Sequence, residues 1–362
     1  MANTSWMHSR IDRRKLVAAT AGAAIAAPML GRISVAAQDG SDFTLALVTD
    51  TAGIGDQSFN DLAKKGADSA VEQFGIELSV LESQTAADYV PNLTQGAEDA
   101  DLTAAIGFLL AEDLLTVATD YPDSKFLIID STVDAENVAS VTFKENQGAF
   151  LAGVLAALTT QTGKVGFIGG QRIPPVIRYE VGFVAGAKSV NPDIEVQIAY
   201  VDSFEDPATG KEFALAQFNN GADVLQQAAG RSGIGLFDAA KEKGDGFWVI
   251  SADADQAHLG PDNQLAAVQK GIDAAILLLV EETLNDEFTG GVQDLGVAEG
   301  GVDLIALHES VSEENRAIVA TYKAAIADGT IVTPVDDDTL AAFTPVPVSD
   351  LPAASPEASP AA

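Results

Sequence analysis

The sequence predicts an α/β protein of two similar lobes, each a parallel sheet covered by helices on both faces. Three observations predict it. Short β-rich runs alternate with helical patterns along most of the chain, the arrangement that buries parallel strands between helices. The halves echo each other: T-L-A-L-V-T-D ends at Asp50 and K-V-G-F-I-G-G at Gly170, 120 positions on; K-F-L-I-I-D ends at Asp130 and F-W-V-I-S-A-D at Asp253, 123 positions on. The length, 362 residues, suits two domains, and a 47% hydrophobic, 20% charged composition supplies a core for both.

In chain order, residues 1–37 read as an export signal. R-I-D-R-R-K at 10–15 is a basic region, 16–30 is an apolar alanine-rich run, and Val35-Ala36-Ala37 offers small residues for cleavage. The adjacent Arg13-Arg14 points to the twin-arginine route. An uncut signal anchor is the alternative, although the apolar run is shorter than the ~20 residues that span a bilayer. Strands are expected at 43–49, 76–81, 102–108, 125–130 and 138–143, then at 164–168, 195–201, 223–227, 247–251 and 302–307. Helices are expected at 60–74, where Leu62, Gly66, Ala70 and Phe74 share a face and Gly75 is the stop, and at 147–160 and 263–285. The tail from Pro345 is rich in Pro, Ala and Ser without periodicity and is expected to be disordered.

Composition excludes several functions. Twenty Lys and Arg against 53 Asp and Glu leave a net charge of −33, which phosphate backbones and anionic membrane surfaces repel. Cysteine is absent, removing disulfides, thiolate metal sites, cysteine nucleophiles and an acylated anchor. After the export segment only His258 and His308 remain, without metal spacing. No G-x-S-x-G elbow is present, and acid pairs are too abundant for any one of them to signal glycoside hydrolysis. No cofactor, metal or catalytic residue is expected.

Open parallel sheets bind ligands beyond the carboxyl ends of their strands, so the residues there are the candidates. Asp50 ends the first strand, and T-A-G-I-G-D-Q-S-F-N leads into a helix that Ser58 or Asn60 can cap. Phe59 either faces the sheet's mouth or folds back as a hydrophobic staple. Asp130 and Asp253, with Asp255, end strands at equivalent places in the two halves. They are either loop and cap residues or facing carboxylates suited to a sugar diol. Phe204 can pair with Phe59 to sandwich a flat ring, or pack its own loop. Lys270, within an apolar helical pattern, either snorkels to solvent or reaches the cleft as a charged donor. A-A-G-R-S-G-I-G at 228–235 is a turn whose amides can meet a ligand; it matches neither a P-loop nor G-x-G-x-x-G.

With these residues in place the chain resembles the basic membrane protein family of ABC-transporter substrate-binding proteins, the group that includes the purine nucleoside receptors. T-D-T-A-G-I-G-D-Q-S-F-N at 49–60 is similar to the family's signature. F-L-I-I-D at 126–130, E-N-Q-G-A-F-L-A-G at 145–153, G-F-V-A-G at 182–186, V-D-S-F-E-D-P at 201–207, G-A-D-V-L-Q-Q-A-A-G at 221–230, W-V-I-S-A-D-A-D-Q at 248–256 and Q-K-G-I-D-A-A at 269–275 follow in family order. The resemblance implies a type I periplasmic-binding fold, two Rossmann-like lobes joined by a multi-strand hinge. It places 42–143 plus about 265–290 in the first lobe and 144–264 plus about 295–335 in the second. Phe59 and Phe204 would stack the base. Asp50, Asn60 and Asp130 would address its edge, Asp253 and Lys270 would hold the ribose hydroxyls, and Gly230 would lend backbone contact. The implied role is an exported, periplasmic or cell-surface, monomeric receptor that hands purine nucleosides to a membrane permease. A sugar or signalling-furanose receptor of the same fold, a sensory receptor and a nucleoside hydrolase are the alternatives. The chain departs from the family pattern in three ways: Ala52 replaces a glycine, Arg231 follows Gly230 where a second glycine is usual, and the lipoprotein cysteine is missing.

Overall fold

The computed structural model describes residues 42–352; the expected export signal lies outside them. The first lobe is built on β1 (Thr44–Thr49), β2 (Glu77–Leu81), β3 (Leu102–Ile106), β4 (Phe126–Ile129) and β5 (Val138–Phe143). The second uses β6 (Lys164–Gly169), β7 (Glu195–Tyr200), β8 (Val224–Ala228), β9 (Trp248–Asp253) and β10 (Gln264–Lys270). Each sheet gains a sixth strand late in the chain, β11 (Gly291–Leu295) in the first lobe and β12 (Val302–Ile305) in the second. The orders are β11-β5-β4-β3-β1-β2 and β12-β10-β9-β8-β6-β7. They superpose position for position, so β1 matches β6 and β4 matches β9, the two pairs whose sequences echo. Every pairing is parallel except β10 with β12.

Among the described residues ten α-helices accompany the sheets: α1 (Phe59–Phe74), α2 (Tyr89–Asp99), α3 (Ala111–Asp120), α4 (Glu145–Thr159), α5 (Pro174–Val190), α6 (Pro207–Asn219), α7 (Ile234–Lys243), α8 (Ile272–Leu284), α9 (Glu313–Ala327) and α10 (Asp337–Ala342). The motifs E-N-Q-G-A-F-L-A-G and G-F-V-A-G fall on α4 and α5 and explain each other. A Cβ at Gly153 would lie 2.1 Å from the Phe183 carbonyl oxygen, and one at Gly182 2.3 Å from that of Asn146. The two helix backbones touch, and only glycine permits it. Strands β3 and β4 are buried from end to end, and β1 from its second residue on, which is why they read as continuous apolar runs.

The chain passes between lobes three times: after Phe143, at Gly271, and between Leu295 and Val302. The structure corrects the expectation at three places. The predicted helix 263–285 is a strand, β10, a break at Gly271, and then α8. L-A-A-V-Q-K is buried on both faces except at Gln269, so it lacks the period-2 alternation that marks a strand, and its alanines mimic a helix. The lobe boundary expected near 265 therefore falls at 271. The edge strand β11, half-exposed and without an apolar face, was not expected. The tail is ordered at least to Pro352: Val346 and Leu351 pack on the core. There the Val346 amide donates to Ser189 Oγ at 3.1 Å, and Tyr322 Oη donates to the Val346 carbonyl at 2.8 Å. Two apolar anchors suffice where composition alone argued for disorder.

Candidate functional site

All eight residues singled out from the sequence (Asp50, Phe59, Asn60, Asp130, Phe204, Gly230, Asp253 and Lys270) line one cleft between the lobes, about 570 Å³ of space partly open to solvent. It sits beyond the carboxyl ends of β1, β4, β8, β9 and β10. Lys270 arrives there as the last residue of a strand, not from within a helix.

At one end of the cleft two carboxyls are held by neutral donors. Asp56 accepts from the amides of Ser58, Asn60 and Asp61 at 2.9, 2.8 and 3.1 Å, so it caps α1 in place of the expected Ser58 or Asn60. Asn60 is thereby fixed in the first turn. Its Nδ2 donates to Asp50 Oδ1 at 2.8 Å, and the Ala52 amide donates to the same oxygen at 3.0 Å. Asn60 Oδ1 is buried and has no partner among the described residues. Burial pushes the Asp50 carboxyl up to about 7, against the pull of Asn60 and with a further push from Asp56.

The other end is ionic. Lys270, 1% exposed, donates to both oxygens of Asp130 at 2.7 and 2.6 Å and to Glu145 Oε1 at 3.1 Å, and stands 3.9 Å from Asp253 Oδ1. Burial opposes its charge, but the carboxylates outweigh it and hold the ammonium above the usual range. Burial also pushes Asp130 to about 6, against Lys270. Arg178 Nε donates to Glu145 Oε2 at 2.6 Å. Two hydroxyls serve Asp253: Tyr179 Oη donates to Oδ1 at 3.1 Å and Ser58 Oγ to Oδ2 at 2.9 Å. Burial and Asp253 keep the Tyr179 phenol protonated, well above its usual range. Asp130 and Asp253 both take left-handed backbone, φ 69° and 66°, which Asp tolerates better than most residues but at a cost of about 1 kcal/mol or more. The same strain at equivalent strand ends turns both carboxylates toward one lysine.

Two rings also line the cleft. Phe59 lies beside Gly107, where a Cβ would be 3.6 Å from its ring, and Phe204 lies over Gly170, where a Cβ would be 2.3 Å away. Phe59 faces the cleft and does not act as a staple. Lys270 Nζ is 5.1 Å from its ring centroid. Neither ring stacks on another aromatic ring among the described residues.

Sequence reasoning assigned Asp130 and Lys270 to different parts of a ligand; the structure joins them in one ion pair. It missed Glu145, Arg178, Tyr179 and the Asp56 cap. Glu145 lies two residues past β5, so the strand-end rule would have found it. Tyr179 lies inside α5 and carries no such mark. Among the described residues no cluster of His, Cys, Asp and Glu is arranged to hold a metal ion, and no helix is long and apolar enough to cross a membrane.

Two three-layer lobes, three crossovers and a polar cleft between strand ends define a two-lobed periplasmic-binding fold. The comparisons narrow this. The family model for PnrA-like ABC transporter substrate-binding proteins matches residues 43–335. The chain is 38% identical to the ABC transporter nucleoside-binding protein BmpA of Lactococcus lactis, over 81% of this chain and 90% of that one. It is 33% identical to basic membrane protein A of Borreliella burgdorferi, over 80% and 87%. An ABC-transporter solute-binding protein from Aeropyrum pernix superposes with a TM-score of 0.76 at 30% identity, covering 83% and 96%. The chain belongs to the basic membrane protein family of ABC-transporter substrate-binding proteins. It is a binding protein, not an enzyme, and proteins of this kind work with a small-molecule ligand and a membrane permease.

Proposed function

We propose that this protein captures purine nucleosides outside the cytoplasm and delivers them to its permease. The observation that carries the reading is the placement of Phe59 and Phe204. They come from opposite lobes and line the same cleft as a carboxyl–amide group around Asp50 and a lysine–carboxylate group around Lys270. In this reading a flat heterocycle stacks between the two rings. Asp50 and the unpartnered Asn60 Oδ1 face its polar edge, and the Lys270–Asp253 end suits a vicinal diol, whose hydroxyls both donate and accept. The nucleoside-binding relative in Lactococcus lactis supports the choice of ligand. Selectivity follows from buried groups that a partial ligand leaves unpaired.

Thermal unfolding of the purified protein, refolded to strip carried-over ligand, tests this against inosine, guanosine, adenosine, cytidine, adenine and ribose. A ligand at 100 times its dissociation constant adds about 2.7 kcal/mol of stability. Stabilisation by purine nucleosides, but not by adenine or ribose alone, is expected. Stabilisation by ribose alone would discard the ring sandwich.

A further inference from the structure

The loop between β1 and α1, residues 50–58, divides its hydrogen bonds between the lobes in an ordered way. Its amides are satisfied within the first lobe: Gly53 by the Asp50 carbonyl, Ile54 by Glu82, and Gly55 and Gln57 by the Asp61 carboxylate. Three of its carbonyls are satisfied by the second lobe. Arg231 Nη2 donates to the carbonyls of Ala52 and Ile54, both at 2.9 Å. Gln256 Nε2 donates to the Gln57 carbonyl at 2.6 Å, and Gln256 is itself fully buried and held by Gln227 and Gln264. His258 Nε2 meets the Gln57 side chain at 2.9 Å. Arg231 is not among the residues lining the cleft.

This division has a mechanical consequence. The loop keeps its shape when the lobes part, because its amide partners move with it. Its carbonyls then face water, at little cost. The contacts from the second lobe are therefore made on closure and lost on opening. We infer that Arg231 is a closure latch: a positioning residue that grips the 52–54 backbone across the cleft mouth and sets how long the closed form lasts. The guanidinium suits the task, since one nitrogen presents two N–H groups in a fixed plane to two carbonyls. A glycine at 231 offers no side chain to reach the first lobe. The inference rests on the cleft being a ligand site that closes; it does not require the ligand to be a nucleoside.

The test uses Arg231→Gly and Arg231→Lys in the whole protein. The chain contains no cysteine, so Glu112→Cys on α3 and Glu212→Cys on α6, both exposed, carry spin labels for an interlobe distance without background. In stopped-flow binding of inosine, Arg231→Gly is expected to raise the dissociation rate about tenfold or more, with association changed by less than about threefold. The melting temperature of the ligand-free protein should not change, because the latch acts between lobes and not within one. The ligand-free distance distribution should lose its short component, and Arg231→Lys should restore part of both effects. An unchanged dissociation rate overturns the latch, as does a fall in melting temperature that accounts for the whole change. If inosine does not bind the parent protein, the nucleoside reading fails and the distances alone decide. A shift to longer separation in Arg231→Gly then sustains the latch, and identical distributions end it.

Discussion

The two ends of the cleft are built from the same residue type for opposite purposes. Asp50 and Asp130 both close strands of the first sheet, and both are buried. Asp50 is held only by neutral donors, Asn60 and the Ala52 amide, so burial lifts it to about 7 and leaves its proton adjustable. Asp130 is held by a buried ammonium through both oxygens and remains ionised at neutral pH. In the proposed reading the first arrangement meets the edge of the ligand through protonation and hydrogen bonding. The second is a charge cluster in which Asp130 and Glu145 hold Lys270 beside Asp253, the end we propose meets a diol. A cleft so asymmetric suits a ligand with two unlike ends, as the proposed nucleoside has.

The comparison breaks most severely at Lys270. Lys270→Met leaves Asp130, Glu145 and Asp253 buried around an apolar side chain. Chemical denaturation should show a loss of about 3–5 kcal/mol, the cost of stranding buried charges, and titration should show no nucleoside binding. Retained stability would mean that the cluster is solvated. Asp253→Ala is expected to cost more than about 2 kcal/mol of nucleoside affinity in titration calorimetry; an unchanged affinity would remove Asp253 from the diol site. Phe59→Ala should weaken every purine nucleoside alike, by about 1–3 kcal/mol for lost stacking. Loss confined to one base would instead make Phe59 a reader of base edges.

The smallest expected effect sharpens the neutral end. Below about pH 7 Asp50 carries its proton, so a ligand that donates to it, such as inosine through N1–H, must displace that proton. Inosine affinity should rise about tenfold from pH 6 to pH 8. Adenosine, whose N1 is an acceptor, should show the opposite slope, and Asp50→Asn should flatten both. Stability has its own sign: the folded-state value is raised, so the Asp50 contribution is full below about pH 4 and is lost as the pH rises through about 7.

Much of this was legible before the structure, for identifiable reasons. Strand ends in parallel sheets face the ligand, so Asp50, Asp130 and Asp253 could be found by position, and the echo between halves correctly paired β4 with β9. Lys270 was found although its strand was read as helix, because the apolar run L-A-A-V-Q-K fits either period. Partnerships were not legible. Which carboxylate a lysine chooses depends on packing between segments 140 and 125 residues apart, and Tyr179 reaches Asp253 from the body of a helix. The Asp56 cap was hidden because Ser58 and Asn60 stood in the more familiar place.

The measurement that bears most directly on the account is calorimetric titration of inosine against 2′,3′-dideoxyinosine, which keeps the base and removes the diol. If rings and edge groups hold the base while Lys270 and Asp253 hold the ribose, the dideoxy compound should lose more than about 2 kcal/mol, roughly 30-fold in dissociation constant. Equal affinity for the two would contradict the division of the cleft into a base end and a diol end.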